Sequence, residues 1–225
     1  MDPSKTLSQS WQHNAGRWTS AVRDGLIPSR AAGTDDAIVS AIAGRRPKRL
    51  LDVGCGEGWL IRRVRQELDC AAVGIDGSAQ LIDDAKAADR DGDYRVASYD
   101  DLIADPRRVG EGFDVIAFNY ALFDEAAGAL LAATHTLLSA DGVIVIQTLH
   151  PWSACDGAYR DGWRTEDFSA FESQGWRPMP WYFRTMASWH GVTADAGLTV
   201  TDLIEPAAEP GGAPLSLLMT CAPAR

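Results

Sequence analysis

Asp52-Val-Gly-Cys-Gly-Glu-Gly58 follows an apolar run, Arg49-Leu-Leu-Asp-Val53, and precedes a helix-forming stretch from Trp59 to Leu68. Its glycines fall where a strand must turn tightly into a helix and bring its backbone close to a ligand. As bare letters, G-x-G-x-G also fits a purely structural turn, so its weight comes from its place between strand and helix. A dinucleotide loop requires G-x-G-x-x-G or A, whereas Gly58 comes one residue early and Trp59 fills the usual third position. Glu57 and Asp52 would add negative charge beside a pyrophosphate. The loop suits a ligand without phosphate.

Outward from the loop, Ala71–Asp76 reads as a second strand ending in Gly74-Ile-Asp76, with Asp76 18 positions after Gly58. An acidic side chain at that strand end can accept hydrogen bonds from both hydroxyls of a ribose; the plainer alternative is a helix-capping carboxylate. Further along, Ser78–Asp89 reads as helix, Tyr94–Ala97 and Phe113–Phe118 as strands, Glu125–Leu138 as helix and Val143–Leu149 as strand, with Asp141-Gly142 as the turn before it. Alternation of this kind from about residue 48 to 149 predicts a parallel sheet covered on both faces. It stops between His150 and Trp181, an insertion over one end of the sheet. Arg184–Gly197 returns to helix, and Leu198–Ile204 and Leu215–Cys221 close the sheet as an antiparallel edge. The first 44 residues predict a helical cap with Trp11 and Trp18 on one helix and Thr34 as the N-cap of the next.

The chain has 225 residues and a formal net charge of -10, which disfavours a phosphate backbone as partner. Cys55, Cys70, Cys155 and Cys221 form no C-x-x-C pair and no disulfide framework, as expected in a reducing compartment. The N-terminus has no apolar signal core and no later run is long enough to span a bilayer, so a cytoplasmic location is expected. The oligomeric state is not legible.

Leu51–Gly58 together with Gly74-Ile-Asp-Gly-Ser78 resembles the first two motifs of the class I, Rossmann-like S-adenosylmethionine-dependent methyltransferases. Phe113-Asp-Val-Ile-Ala-Phe-Asn119 resembles their fourth strand, and Leu137–Ile146 their helix-turn-strand, with Ala140-Asp141-Gly142 in place of the customary Pro-Gly. The resemblance implies an α/β three-layer sandwich with a seven-stranded, mostly parallel sheet and one antiparallel strand. A helical cap would occupy residues 1–44, the methyltransferase domain 45–225, and an acceptor-side insertion 150–184. It implies S-adenosylmethionine as cofactor, with Gly54, Cys55 and Gly56 toward the methionine part, Asp76 on the ribose, Gly77 and Ser78 at the adenine, and Asp52 also among the cofactor-binding residues. Ser98 stands where the family often has Asp, leaving the adenine contact open among Ser98, Tyr99 and Asp100. Asn119 and Tyr120 would face the amino-acid end, and Trp18 and Arg30 would close over the cofactor from the cap; helix packing for Trp18 and a solvated surface for Arg30 are the alternatives.

Methyl transfer from a sulfonium is an in-line displacement that needs a positioned acceptor, a dry site and, where the acceptor must lose a proton, a base. His150, directly after the fifth strand, is the candidate base; a hydrogen-bonded turn histidine is the alternative. Aromatic residues crowd positions 150–190, and Trp152, Trp181 and Tyr182 are candidates to hold a flat or apolar small-molecule acceptor, unless the rings form the insertion's own core. Arg184, with Arg160, Arg164 and Arg177, would suit a carboxylate on that acceptor. His13, His135, His150 and His190 show no metal-ligand spacing, and the reading requires no metal. A non-enzymatic module that binds S-adenosylmethionine and, from a different class, an NAD-dependent oxidoreductase are the competing readings.

Overall fold

The computed structural model describes residues 2–171 and 175–224. Helix α1 (Pro3–Arg23) is followed by a kinked turn and α2 (Asp35–Ala43). The alternating part comprises β1 (Arg49–Val53), α3 (Trp59–Glu67), β2 (Ala71–Asp76), α4 (Ala79–Ala88), β3 (Asp93–Val96) and α5 (Tyr99–Ala104). It continues through β4 (Phe113–Asn119), α6 (Ala127–His135) and β5 (Leu138–Leu149). A separate hairpin of β6 (Gly162–Glu166) and β7 (Met179–Phe183) precedes α7 (Met186–Asp195), β8 (Leu198–Ile204) and β9 (Ser216–Pro223).

Seven strands form one sheet in the order β3-β2-β1-β4-β5-β9-β8. β1 to β5 run parallel, and β9 lies antiparallel to both β5 and β8. Adjacent residues of the inner strands serve opposite faces, as the two-residue period requires. Leu50, Val115, Ala117, Val143 and Val145 pack with α2, α3 and α4. Leu51, Ile116, Phe118, Ile144 and Ile146 pack with α5, α6 and α7. Both faces are thus buried, and the strands read as continuous apolar runs. Because β1 pairs with β2 on one side and β4 on the other, the strand order reverses there and a crevice opens beyond the carboxyl ends of β1 and β4.

Three local expectations are corrected. The fifth strand starts at Leu138, not Val143, and the preceding helix ends at His135. Asp141-Gly142 therefore lies inside a strand. A Cβ on Gly142 would stand 2.6 Å from the Phe113 carbonyl oxygen, so the glycine serves a close backbone approach where the β4–β5 register shifts. Thr34 gives no capping bond to α2; its hydroxyl donates to the Ser29 carbonyl at 3.0 Å and stabilises the kinked turn Arg30–Thr34.

A third cluster, outside the sheet layers, joins α1 to the insertion. Leu7, Phe123, Phe168 and Met179 are buried there, with Trp11, Phe171 and Trp181 packed against them. Asn14 holds α1 to the strand approaching β7 by donating to the Arg177 carbonyl (2.9 Å) and accepting from its amide (2.9 Å). The aromatic insertion residues and the N-terminal helix therefore share one small core over the carboxyl edge of the sheet.

Candidate active site

The glycine loop bends as its sequence requires: Gly54, Gly56 and Gly58 all have left-handed φ, at 76°, 54° and 80°. A Cβ on Gly54 would meet the Ala121 Cβ at 2.7 Å and the Tyr99 hydroxyl at 2.8 Å, whereas one on Gly56 would meet nothing within 4 Å. The backbone at Gly56 thus faces open space. That space is a cavity of about 830 Å³ beyond the carboxyl ends of β1 and β4, with α1 and the β6–β7 insertion contributing to its far wall. Its volume lies at the upper end of the usual range for small-molecule sites.

Asp76, at the end of β2, is the best-organised acid in the cavity wall. One carboxylate oxygen accepts from the Gly56 amide at 3.0 Å and the other from the Ser78 amide at 2.8 Å. Burial pushes its pKa up, and these two amide bonds oppose the rise. Each oxygen keeps a further lone pair for a ligand hydroxyl. Ser78 caps α4 and Ser98 caps α5, the latter in a reciprocal box with Asp101, so the Ser98 hydroxyl is committed to its helix. Tyr99 crosses the loop and donates its hydroxyl to the Ala121 carbonyl at 2.9 Å. The Asn119 carboxamide oxygen accepts from Gln147 at 3.1 Å.

Twelve residues predicted for the cofactor meet in the cavity wall: Trp18, Arg30, Gly54, Cys55, Gly56, Asp76, Gly77, Ser78, Ser98, Tyr99, Asn119 and Tyr120. Arg30 is paired with Asp35, its Nε 3.0 Å from both carboxylate oxygens, and its guanidinium lies 4.1 Å over the Trp59 ring. Asp52 is outside the wall. It is 1% exposed beneath the loop, with neither carboxylate oxygen hydrogen-bonded in the structure. Burial, then the charge of Asp76, push its pKa up to about 7.

Glu57 also differs from its expected part. Its buried carboxylate is not a bare negative charge: Arg62 donates to both oxygens (2.9 and 2.7 Å) and Arg23 of α1 to one (3.0 Å). Two guanidiniums neutralise it and anchor α1 to the glycine loop, so the case against a pyrophosphate rests on the glycine register and on Asp52.

Of the residues predicted for the acceptor, Trp181 lines the cavity, while His150, Trp152, Tyr182 and Arg184 do not. The His150 Nδ1 accepts from the Trp152 amide (3.2 Å), which places the proton on Nε2, 2.7 Å from a Glu205 carboxylate oxygen. Both nitrogens are thus engaged in tying the end of β5 to the segment after β8. Trp152 is 75% exposed. Arg184 is buried, donates to the carbonyl oxygens of Asp124 and Glu125, and lies over the Tyr182 and Trp189 rings. The residues that sequence reasoning missed are Leu7, Trp11, Phe123 and Met179, all on the wall. Leu7, Trp11, Trp18 and Val22 make one stripe along α1, a helical spacing that was available as a signal. No group of three or more His, Cys, Asp or Glu among the described residues is placed to hold a metal.

The profile of the methyltransferase-domain family matches residues 30–203. An uncharacterized protein of Haemophilus influenzae is 25% identical over 172 residues, 70% of this chain and 66% of that one. The ubiquinone biosynthesis O-methyltransferase of Cereibacter sphaeroides is 34% identical over 130 residues, 55% of this chain and 50% of that one. The chain thus spans about half to two thirds of the length of these curated relatives. Among solved structures, the 1,6-didemethyltoxoflavin-N1-methyltransferase of Burkholderia thailandensis, with 1,6-didemethyltoxoflavin and S-adenosylhomocysteine bound, superposes with a TM-score of 0.64 at 20% identity, covering 100% of this chain and 92% of that one. With its seven-stranded sheet and its glycine loop, the chain belongs to the class I S-adenosylmethionine-dependent methyltransferases.

Proposed function

We propose that this protein transfers the methyl group of S-adenosylmethionine to a small-molecule acceptor held between α1 and the β6–β7 insertion. The observation that carries this reading is one continuous cavity: it begins at the open Gly56 backbone and the amide-oriented Asp76 carboxylate, and it ends among Trp11, Phe123 and Trp181. Asp76 would hold the ribose hydroxyls, Gly77 and Ser98 would border the adenine, and the Gly54–Gly56 backbone and Asn119 would hold the methionine part. Bound there, the cofactor supplies an electrophilic methyl on a sulfonium sulfur. The chain's own share is to align the acceptor with that methyl and keep water out, which the apolar wall and α1 do as a cap.

The net charge of -10 supports a small molecule over a nucleic acid as acceptor. No described helix is long and apolar enough to cross a membrane. Cys55, Cys70, Cys155 and Cys221 are free thiols, which supports a cytoplasmic reaction. Incubation with methyl-labelled S-adenosylmethionine and a fractionated metabolite extract is the test. Label in a small-molecule fraction, dependent on the folded protein, is expected; label remaining wholly in the cofactor would contradict the reading.

A further inference from the structure

Resting on the reading of this cavity as a methyl-transfer site, we infer that its acceptor is a basic amine carried on a flat aromatic ring and that acceptors carrying a carboxylate or phosphate are refused. The first ground is the arrangement of rings on the far wall. Trp11 and Phe123 lie nearly parallel, 22° apart with centroids at 6.4 Å. Trp18 stands edge-on to Trp11 at 5.3 Å, and Trp181 edge-on to Phe123 at 6.3 Å. All four rings border the cavity. Such walls accept a flat ring, and the negative faces of their π-systems attract a positive nitrogen.

The second ground is the sign of the charge. Among the described residues of the wall stand seven carboxylates and two cationic side chains. Arg30 is engaged with Asp35, and Lys5 is exposed on the first turn of α1. Asp76 and Glu57 belong to the cofactor's end. Glu166 on β6 belongs to the ring-lined end, while Asp124, beside Phe123, lies between the two ends, where its charge also acts on Tyr99. Glu166 accepts from the Phe168 amide at 2.6 Å and Asp124 from the Ala126 amide at 2.8 Å; neither is in an ion pair among the described residues, though the Arg184 charge lies near Asp124. Glu166 is exposed and Asp124 half-buried, so an anionic acceptor entering here meets a repulsion that solvent screens in part.

The third ground is where the insertion's arginines go. Arg160, Arg164, Arg177 and Arg184 all lie outside the cavity wall. Arg164 covers the Phe183 ring at 4.1 Å and donates to the Asp156 and Ala158 carbonyl oxygens, and Arg184 donates to those of Asp124 and Glu125. Arg164 and Arg184, two of the four cations that could have recognised a carboxylate, are thus committed to the insertion's own structure.

Such an amine also fits the chemistry. The ammonium drawn in by the rings and carboxylates gives up a proton to water and attacks as the neutral amine, so no histidine is needed in the wall. The nitrogen lone pair forms the bond to the methyl carbon while the carbon–sulfur bond breaks with its electron pair left on sulfur; the new ammonium then releases its proton to water. Positive charge therefore moves from sulfur to nitrogen, toward the rings and the two carboxylates, and an oriented acidic wall stabilises that shift.

Tryptamine, tryptophol and indole-3-acetate share one ring and differ in charge. Their binding to the protein saturated with S-adenosylhomocysteine is measured by calorimetry, for the native chain, Glu166→Gln and Asp124→Asn. Both substitutions keep an oxygen for the backbone amide. Tryptamine is expected to bind at least ten-fold tighter than indole-3-acetate, with tryptophol between them, and each substitution to reduce that ratio about three-fold. Equal or tighter binding of indole-3-acetate, no binding of any probe, or a ratio unchanged in both variants overturns the inference. Binding of S-adenosylhomocysteine to the same samples separates the two readings: if it binds and the preference is absent, only the amine inference fails, and if it does not bind, the methyltransferase reading fails with it.

Discussion

Asp76→Ala is expected to weaken the binding of S-adenosylhomocysteine about 100-fold or more without unfolding the protein. The carboxylate would accept from two ribose hydroxyls while the Gly56 and Ser78 amides hold its oxygens in place. Hydrogen bonds to a charged group are worth about 1.5–3 kcal/mol each, so losing two removes roughly 3 kcal/mol, or two factors of ten in affinity. The fold should tolerate the change. Asp76 is half-buried and its charge is among the causes that raise the pKa of Asp52, so its removal relieves electrostatic strain as it leaves two amides unpaired. Calorimetric titration, with circular dichroism to confirm the fold, reads both effects; a loss of less than five-fold in a folded variant would remove Asp76 from the cofactor site.

The second large effect concerns Asp52 in the ligand-free protein. Its carboxyl titrates at about 7 against 3.8 for a free group, raised first by burial and then by Asp76. As pH rises from 3.8, the unfolded chain ionises while the folded chain still holds the proton. The folded state therefore loses stability across that window, with the loss complete above about pH 7. Asp52→Asn never carries the charge. Relative to the native chain, the variant is expected to gain about 2–3 kcal/mol of stability between pH 5 and pH 8, taking 1.36 kcal/mol per pKa unit. Urea unfolding of both proteins at the two pH values measures this difference. A gap between the two proteins that stays constant with pH would mean that Asp52 ionises at its ordinary value.

The alternating strands and the cofactor edge were legible because they depend on local pattern. Residues 49–58 and 71–78 each combine an apolar run with a turn, and the β1–β2 pairing alone brings Asp76 to Gly56. Features that depend on distant partners were not. Glu57 is acidic in the sequence, yet Arg23, 34 positions earlier, and Arg62 neutralise it in the fold. Asp141-Gly142 has the composition of a turn, and only the approach of the Phe113 carbonyl makes it part of a strand.

The proposed acceptor side depends on such partners throughout. Leu7 and Trp11 come from one end of the chain and Met179 and Trp181 from near the other, and they meet because Asn14 grips the Arg177 backbone. Aromatic density between residues 150 and 190 indicated the region but not its direction. Trp181 faces the cavity, Trp152 faces solvent, and Trp163 packs edge-on against Tyr182 at 5.5 Å. His150 drew attention by its place after β5; the acceptor of its ring proton, Glu205, lies 55 positions on and beyond β8.

The most direct measurement is calorimetric titration of the native protein with S-adenosylhomocysteine, repeated in the presence of NADH. The account predicts one site of micromolar or tighter affinity that NADH does not displace, because the loop lacks the dinucleotide register and the buried Asp52 lies beneath it. No binding by the folded protein, or displacement by NADH, would contradict it.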